Sequence, residues 1–141
     1  MATVAEKITE LIAQENIASI GGARPRIGRD FAGDNARFPY ITYSDSITNV
    51  PELMGDGQTM ARRRRQQWDV WQKYREEDDF LVGQLIELLD GAKLVGPFSD
   101  APGAKSTMRM RVIDSHRVFD PGNDVVHTWI DVWVTYLAAG A

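Results

Sequence analysis

Side chains suited to chemistry are sparse in this chain of 141 residues, which has two histidines, His116 and His127, and no cysteine. Without cysteine the sequence offers no thiol nucleophile, thiolate metal site or disulfide. Two histidines are too few for a histidine-rich metal centre, and the carboxylates nearest them in sequence, Asp114 and Asp124, have no liganding spacing. Asp114-Ser115-His116 contains the residue types of a hydrolytic triad, but neighbours along a strand point to alternating faces and a triad is defined by convergence in space. Gly55-Asp56-Gly57 lacks the lysine and hydroxyl of a phosphate-cradling loop and the further glycine of a dinucleotide fingerprint, so it reads as a turn. The expectation is a chain that is not an enzyme, with no catalytic residue, no cofactor and no metal.

The arginine run at residues 62–65 has a different chemistry, because clustered guanidinium groups can neutralise nucleic-acid phosphates. Only alternate members of the run share a face, and no aromatic interleaves with them. Arg63 and Arg65 therefore fit a salt-bridging edge, or a contact with an acidic neighbouring subunit, better than a phosphate stripe. The formal charge of −4 and the isoelectric point near 5.1 also run against a free-standing nucleic-acid binder.

The strongest pattern is the stretch that follows the arginines. In an extended strand Gln66, Trp68, Val70 and Tyr74 share one face, while Gln67, Asp69, Trp71 and Lys73 share the other. Trp68 and Val70 mark a core face. Near the end of the chain Ile130, Val132, Val134 and Tyr136 form one stripe, and Trp129, Asp131, Trp133 and Thr135 the other. Both strands thus place a carboxylate beside indoles on a second face. One reading is a sheet buried on both faces within a single chain. The other is a sheet with helices on one face and a neighbouring subunit on the second, where tryptophan and arginine are enriched at the centres of protein contacts. A carboxylate in a dry core without a partner is costly, which favours the second. The expected interface residues are Trp71, Trp129, Trp133, Asp69, Asp131, Arg63 and Arg65.

The elements that must position these residues follow from periodicity and caps. Thr3 and Glu6 have capping-box spacing, and Val4, Ile8, Leu11 and Ile12 form an apolar stripe, so a helix is predicted over residues 4–15. Residues 24–37 read as a loop rich in arginine and glycine. Residues 38–43 read as a strand, and residues 44–61, with Pro51, Gly55 and Gly57, as a projecting arm. The run of carboxylates before Phe80 suits a helix N-terminus, and Leu81, Leu85, Ile86, Leu88 and Leu89 give the helix that follows a wide apolar face. Gly91 is placed as its cap, and Gly83 inside it suggests close approach to the sheet. Residues 98–106 read as a second loop. Residues 108–114 alternate as a strand, and the turn at residues 120–124 leads into the last one. The expected fold is a single α+β domain over residues 1–141, built on a mixed, largely antiparallel four-stranded sheet with helices packed on one face. No window reaches the roughly 20 apolar residues needed to span a bilayer, and no secretion signal is evident, so a soluble intracellular product is expected.

The order of elements, the strand at residues 38–43, the arm, the strand carrying Trp68 and Trp71 with its acidic-start helix, and the final strand carrying Trp129 and Trp133 together resemble the tail terminator, or tail completion, proteins of long-tailed bacteriophages. The resemblance runs from the first helix to the last strand and rests on alternation rather than on an invariant signature. It implies a structural virion subunit assembled as a homohexameric ring at the head-proximal end of the tail, built in the host cytoplasm. Such a ring caps the tail tube, stops its elongation and joins the head–tail connector proteins, with DNA only passing through the lumen and no membrane partner. On that pattern Trp71 and Trp129 or Trp133 would sit between subunits, and the arm would reach a neighbour or the tube. The tetra-arginine run is a departure from the pattern and leaves open whether that edge faces protein or DNA. Another neck or head completion protein, or a small-ligand-binding α+β pocket protein, would use the same sheet differently.

Overall fold

The computed structural model describes residues 3–18, 24–29, 38–53, 59–76, 79–96, 98–99 and 108–139; at residues 29, 45–53, 59–62, 76 and 137–139 only the backbone is described. Helix α1 (Val4–Gln14) opens with the capping box read from the sequence: Thr3 Oγ1 accepts from the Glu6 amide at 3.1 Å, and the Thr3 amide donates to Glu6 Oε2 at 3.4 Å. Its Val4, Ile8 and Ile12 are buried. Helix α2 (Asp79–Leu89) buries Leu81, Leu85 and Leu89, and Gly91 follows in the left-handed conformation with φ 82°. Gly83 is different from expectation, since a Cβ there would meet nothing within 4 Å, and close approach to the sheet does not explain it.

The strands are β1 (Arg26–Arg29), β2 (Tyr40–Leu53), β3 (Thr59–Lys73), β4 (Lys93–Leu94), β5 (Met108–Asp120) and β6 (Val125–Ala139). They form one sheet in the order β1-β2-β3-β6-β5-β4, antiparallel throughout except for the parallel β1–β2 pair. The expected four-stranded sheet with packed helices is therefore corrected: the protein is mostly sheet, six strands curled into a half-barrel with two short helices. Two features hid this. The two unexpected strands are short: β1 is four residues of the arginine- and glycine-rich run and β4 two residues after α2, held by pairing to β2 and β5 rather than by any alternation of their own. The second is the length of β2 and β3, which continue as one ladder from Tyr40↔Trp71 to Leu53↔Met60, with an irregularity between Asp45 and Asn49. Residues 44–53 and 59–61 of the segment read as an arm thus belong to strands, and residues 54–58 lie outside the described ones, as do 30–37 of the first expected loop and 100–107, where most of the second falls.

One buried cluster joins the elements. Trp68 and Val70 from β3, Ile130, Val132 and Val134 from β6, and Met108 and Met110 from β5 share it with the buried residues of both helices. Trp68 and Val70 thus mark the core face as their spacing indicates. Tyr74 does not continue that stripe, because the chain turns at Tyr74–Glu76 and leaves the ring exposed against Phe119, 4.3 Å between centroids.

Candidate functional site

The second face of the β3–β6 ladder is where the polar and aromatic residues collect. Antiparallel partners share a face. Arg63 pairs with Thr135, Arg65 with Trp133, Gln67 with Asp131, Asp69 with Trp129 and Trp71 with His127, so all seven residues expected at an interface lie on this side. β5 extends it. A bulge between Val112 and Asp114 leaves Ile113 unpaired and brings Asp114 onto the side of Arg109 and Arg111, so Ile113 does not follow the strict alternation of the sequence reading.

The indoles are held differently. Trp71 is engaged within its own chain: its ring stacks on His127 with centroids 3.9 Å apart and planes 4° apart, and lies 5.9 Å from Tyr40. Its Nε1 donates to Thr42 Oγ1 at 2.9 Å. Trp129 contacts the His116 ring at 5.4 Å. Trp133 lines an open groove of about 410 Å³ together with Arg63, Arg111, Val112, Ile113 and Thr135. All three indoles are half-buried.

Between them lie two carboxylates withdrawn from water, Asp69 at 7% and Asp131 at 6% exposure. The large side chains flanking them on the ladder exclude solvent, so each needs protein partners. Asp69 has them: His127 Nε2 donates to its Oδ1 at 2.7 Å, as does Gln67 Nε2 at 2.9 Å. Asp131 is only half supplied. Arg65 donates to Oδ2, while Oδ1 is buried without a hydrogen-bond partner among the described residues. Leaving such an acceptor unmatched costs about 1–3 kcal/mol. The Asp69–His127 pair is absent from the sequence reading, because it joins residues 58 apart through the strand register. The register of two tryptophan-bearing strands is the signal that could have found it.

The arginine run divides between faces as its spacing requires. Arg63 and Arg65 lie beside Thr135 and Trp133, and Arg64 pairs with Val134. Arg65 forms the salt bridge foreseen for this edge, with an aspartate of its own chain. Among the described residues no group of three or more His, Asp or Glu side chains is placed to hold a metal ion, and no described helix is long and apolar enough to cross a membrane.

No family model matches the chain, and no curated protein matches it. The fold does have a counterpart. A solved chain from the virion of a native gene transfer agent particle aligns with a TM-score of 0.59, covering 97% of this chain and 98% of that one at 12% sequence identity. The likeness is one of fold, end to end, and the indole–carboxylate face is described by this chain's own residues.

Proposed function

We propose that the protein is a structural subunit of a phage-like virion, and within it a tail terminator. In this reading six copies close into a ring on the tail tube, end its elongation and present the joint to the head–tail connector proteins. DNA passes through the lumen without being read. The protein works at the head-proximal end of the tail after assembly in the host cytoplasm, with no catalytic step, cofactor or membrane partner.

The observation that carries the reading is the whole-length likeness of fold to a virion chain. The second sheet face supports it. Three half-buried indoles on one sheet face are what a surface looks like when a neighbour completes it. A pocket protein is the rival from another class, and its ligand would sit in the groove at Trp133. A ligand there stabilises a monomer in proportion to its concentration.

The test is tube assembly. Tail-tube protein polymerised alone, and with this protein added, is compared by negative-stain imaging. Shorter tubes carrying a ring at one end are expected; tubes of unchanged length with bare ends would overturn the terminator reading.

A further inference from the structure

β5 has a free edge for a topological reason. It lies between β6 and β4, and β4 covers only Met108 and Arg109. Just beyond, main-chain bonds tie Met110 to Gly91 and Ala92, and the Asp90 carboxylate accepts from the Val112 amide. Over residues 113–120 no strand lies on the outer side of β5 among the described residues. This stretch contains no proline or lysine, and Ile113, Val118 and Phe119 on it are 49%, 42% and 39% exposed. Proteins usually blunt such an edge with short length, proline, charged side chains or a bulge, since its unpaired amides and carbonyls template another strand; the charges on this one are Asp114, Arg117 and Asp120. Here the bulge lies at Ile113, where the free stretch begins, the Ser115 amide just after it donates to Asp114 Oδ1 at 2.9 Å, and the register beyond is regular.

The opposite edge of the same sheet is β1, which pairs only with β2 among the described residues. Its charge is complementary. β1 begins and ends with arginine, Arg26 and Arg29, and the free part of β5 carries Asp114 and Asp120 against one arginine, Arg117. Strand direction is complementary too. β1 runs with β2, and the antiparallel steps to β3, β6 and β5 leave β5 running against β1. When the sheet continues from one copy to the next without inverting the subunit, β5 therefore meets β1 as an antiparallel neighbour. Joining unlike edges is a heterologous contact, which repeats from copy to copy until it closes.

We propose that copies of this chain associate by strand addition, residues 113–120 of β5 on one copy pairing antiparallel with β1 of the next. This deepens the ring reading, on which it rests for closure of the assembly, and it assigns the subunit contact to the sheet edges in addition to the indole face.

Because the chain has no cysteine, introduced pairs report the contact directly. Arg26→Cys protein is mixed with Ser115→Cys, His116→Cys, Arg117→Cys or Val118→Cys protein under mild oxidation, since only positions whose Cα atoms approach within about 7 Å can bridge. The expected result is a mixed disulfide at one or two adjacent β5 positions, at least tenfold more abundant than either self-linked dimer. A chain carrying both cysteines should then give a ladder of covalent multimers. Val118→Lys, which places a charge on the edge, should suppress the ladder with the melting temperature unchanged. Self-linked β5 dimers, or no mixed disulfide at any of the four positions, would overturn the proposal. An oligomer that forms without the mixed disulfide removes the edge pairing and leaves the ring reading standing; a ladder that never closes keeps the pairing and removes the ring.

Discussion

β3 and β6 run side by side over their whole length, yet the two faces of that ladder end in different states. On one, Trp68, Val70, Ile130, Val132 and Val134 are sealed in a cluster with Val4, Ile8, Leu81 and Leu85 from the helices. On the other, Trp71, Trp129 and Trp133 stay half-buried around Asp69 and Asp131, and one carboxylate oxygen lacks a donor. The alternation is equally regular on both sides. The difference lies in what covers them, because the chain's own helices finish the first face and, among the described residues, the second is finished only in part by side chains lying against each other. An apolar face closed from within makes a domain; the mixed face is the one proposed to meet a neighbour.

Substitutions can break this comparison, and the core face gives the largest effect. Trp68→Ala should lower the unfolding free energy by about 3–5 kcal/mol, because it empties a fully buried site. Denaturant titration measures it, and a loss below 1 kcal/mol would mean that the sealed face is not the one holding the fold. Trp133→Asp should leave the unfolding free energy within about 1 kcal/mol of the parent and abolish assembly, since it places a charge on the face proposed to meet a neighbour. A variant that stays fully assembled in sedimentation would remove Trp133 from the contact. Asp131→Asn keeps the shape but weakens the pairing with Arg65. A loss of about 1–3 kcal/mol in the isolated chain is expected, because the carboxylate end of the bridge is buried. Assembly should weaken about tenfold if the Arg65–Asp131 pair holds this face in the shape a neighbour fits; equal assembly would place the pair away from any contact.

The smallest effect is one of pH. Burial raises the Tyr40 phenol above its ordinary value of 10.0. The folded state therefore keeps this proton longer than the unfolded chain does. The contribution is fully present below pH 10 and is lost as the pH rises through the folded value. Tyr40→Phe should remove this component from the alkaline fall in stability, followed by denaturant titration between pH 9 and about 11. An unchanged alkaline profile would assign the fall to other groups.

Much of the site was legible and less of the fold was. The parity of the side chains around Trp68, Trp71, Trp129 and Trp133 placed every expected interface residue on one face, because a strand leaves no other choice. The two helices were equally open to reading, through the Thr3 capping box and the leucines before Gly91. Partners were not: Arg65–Asp131 and Asp69–His127 span 66 and 58 residues, and only the register between strands decides them. β1 and the far halves of β2 and β3 escaped for the same reason. Pro51 and the arginine run disguise a ladder that exists because its two strands face each other along a hairpin. The half-barrel followed from those unseen strands.

The central claim, that the second face is completed by further copies of the chain, is tested most directly by solution mass from light scattering over a wide range of protein concentration. A species near six times the 15.8 kDa subunit, about 95 kDa, is expected to grow at the expense of the monomer as concentration rises. A single 15.8 kDa species at every concentration, with tail-tube protein present or absent, would contradict it.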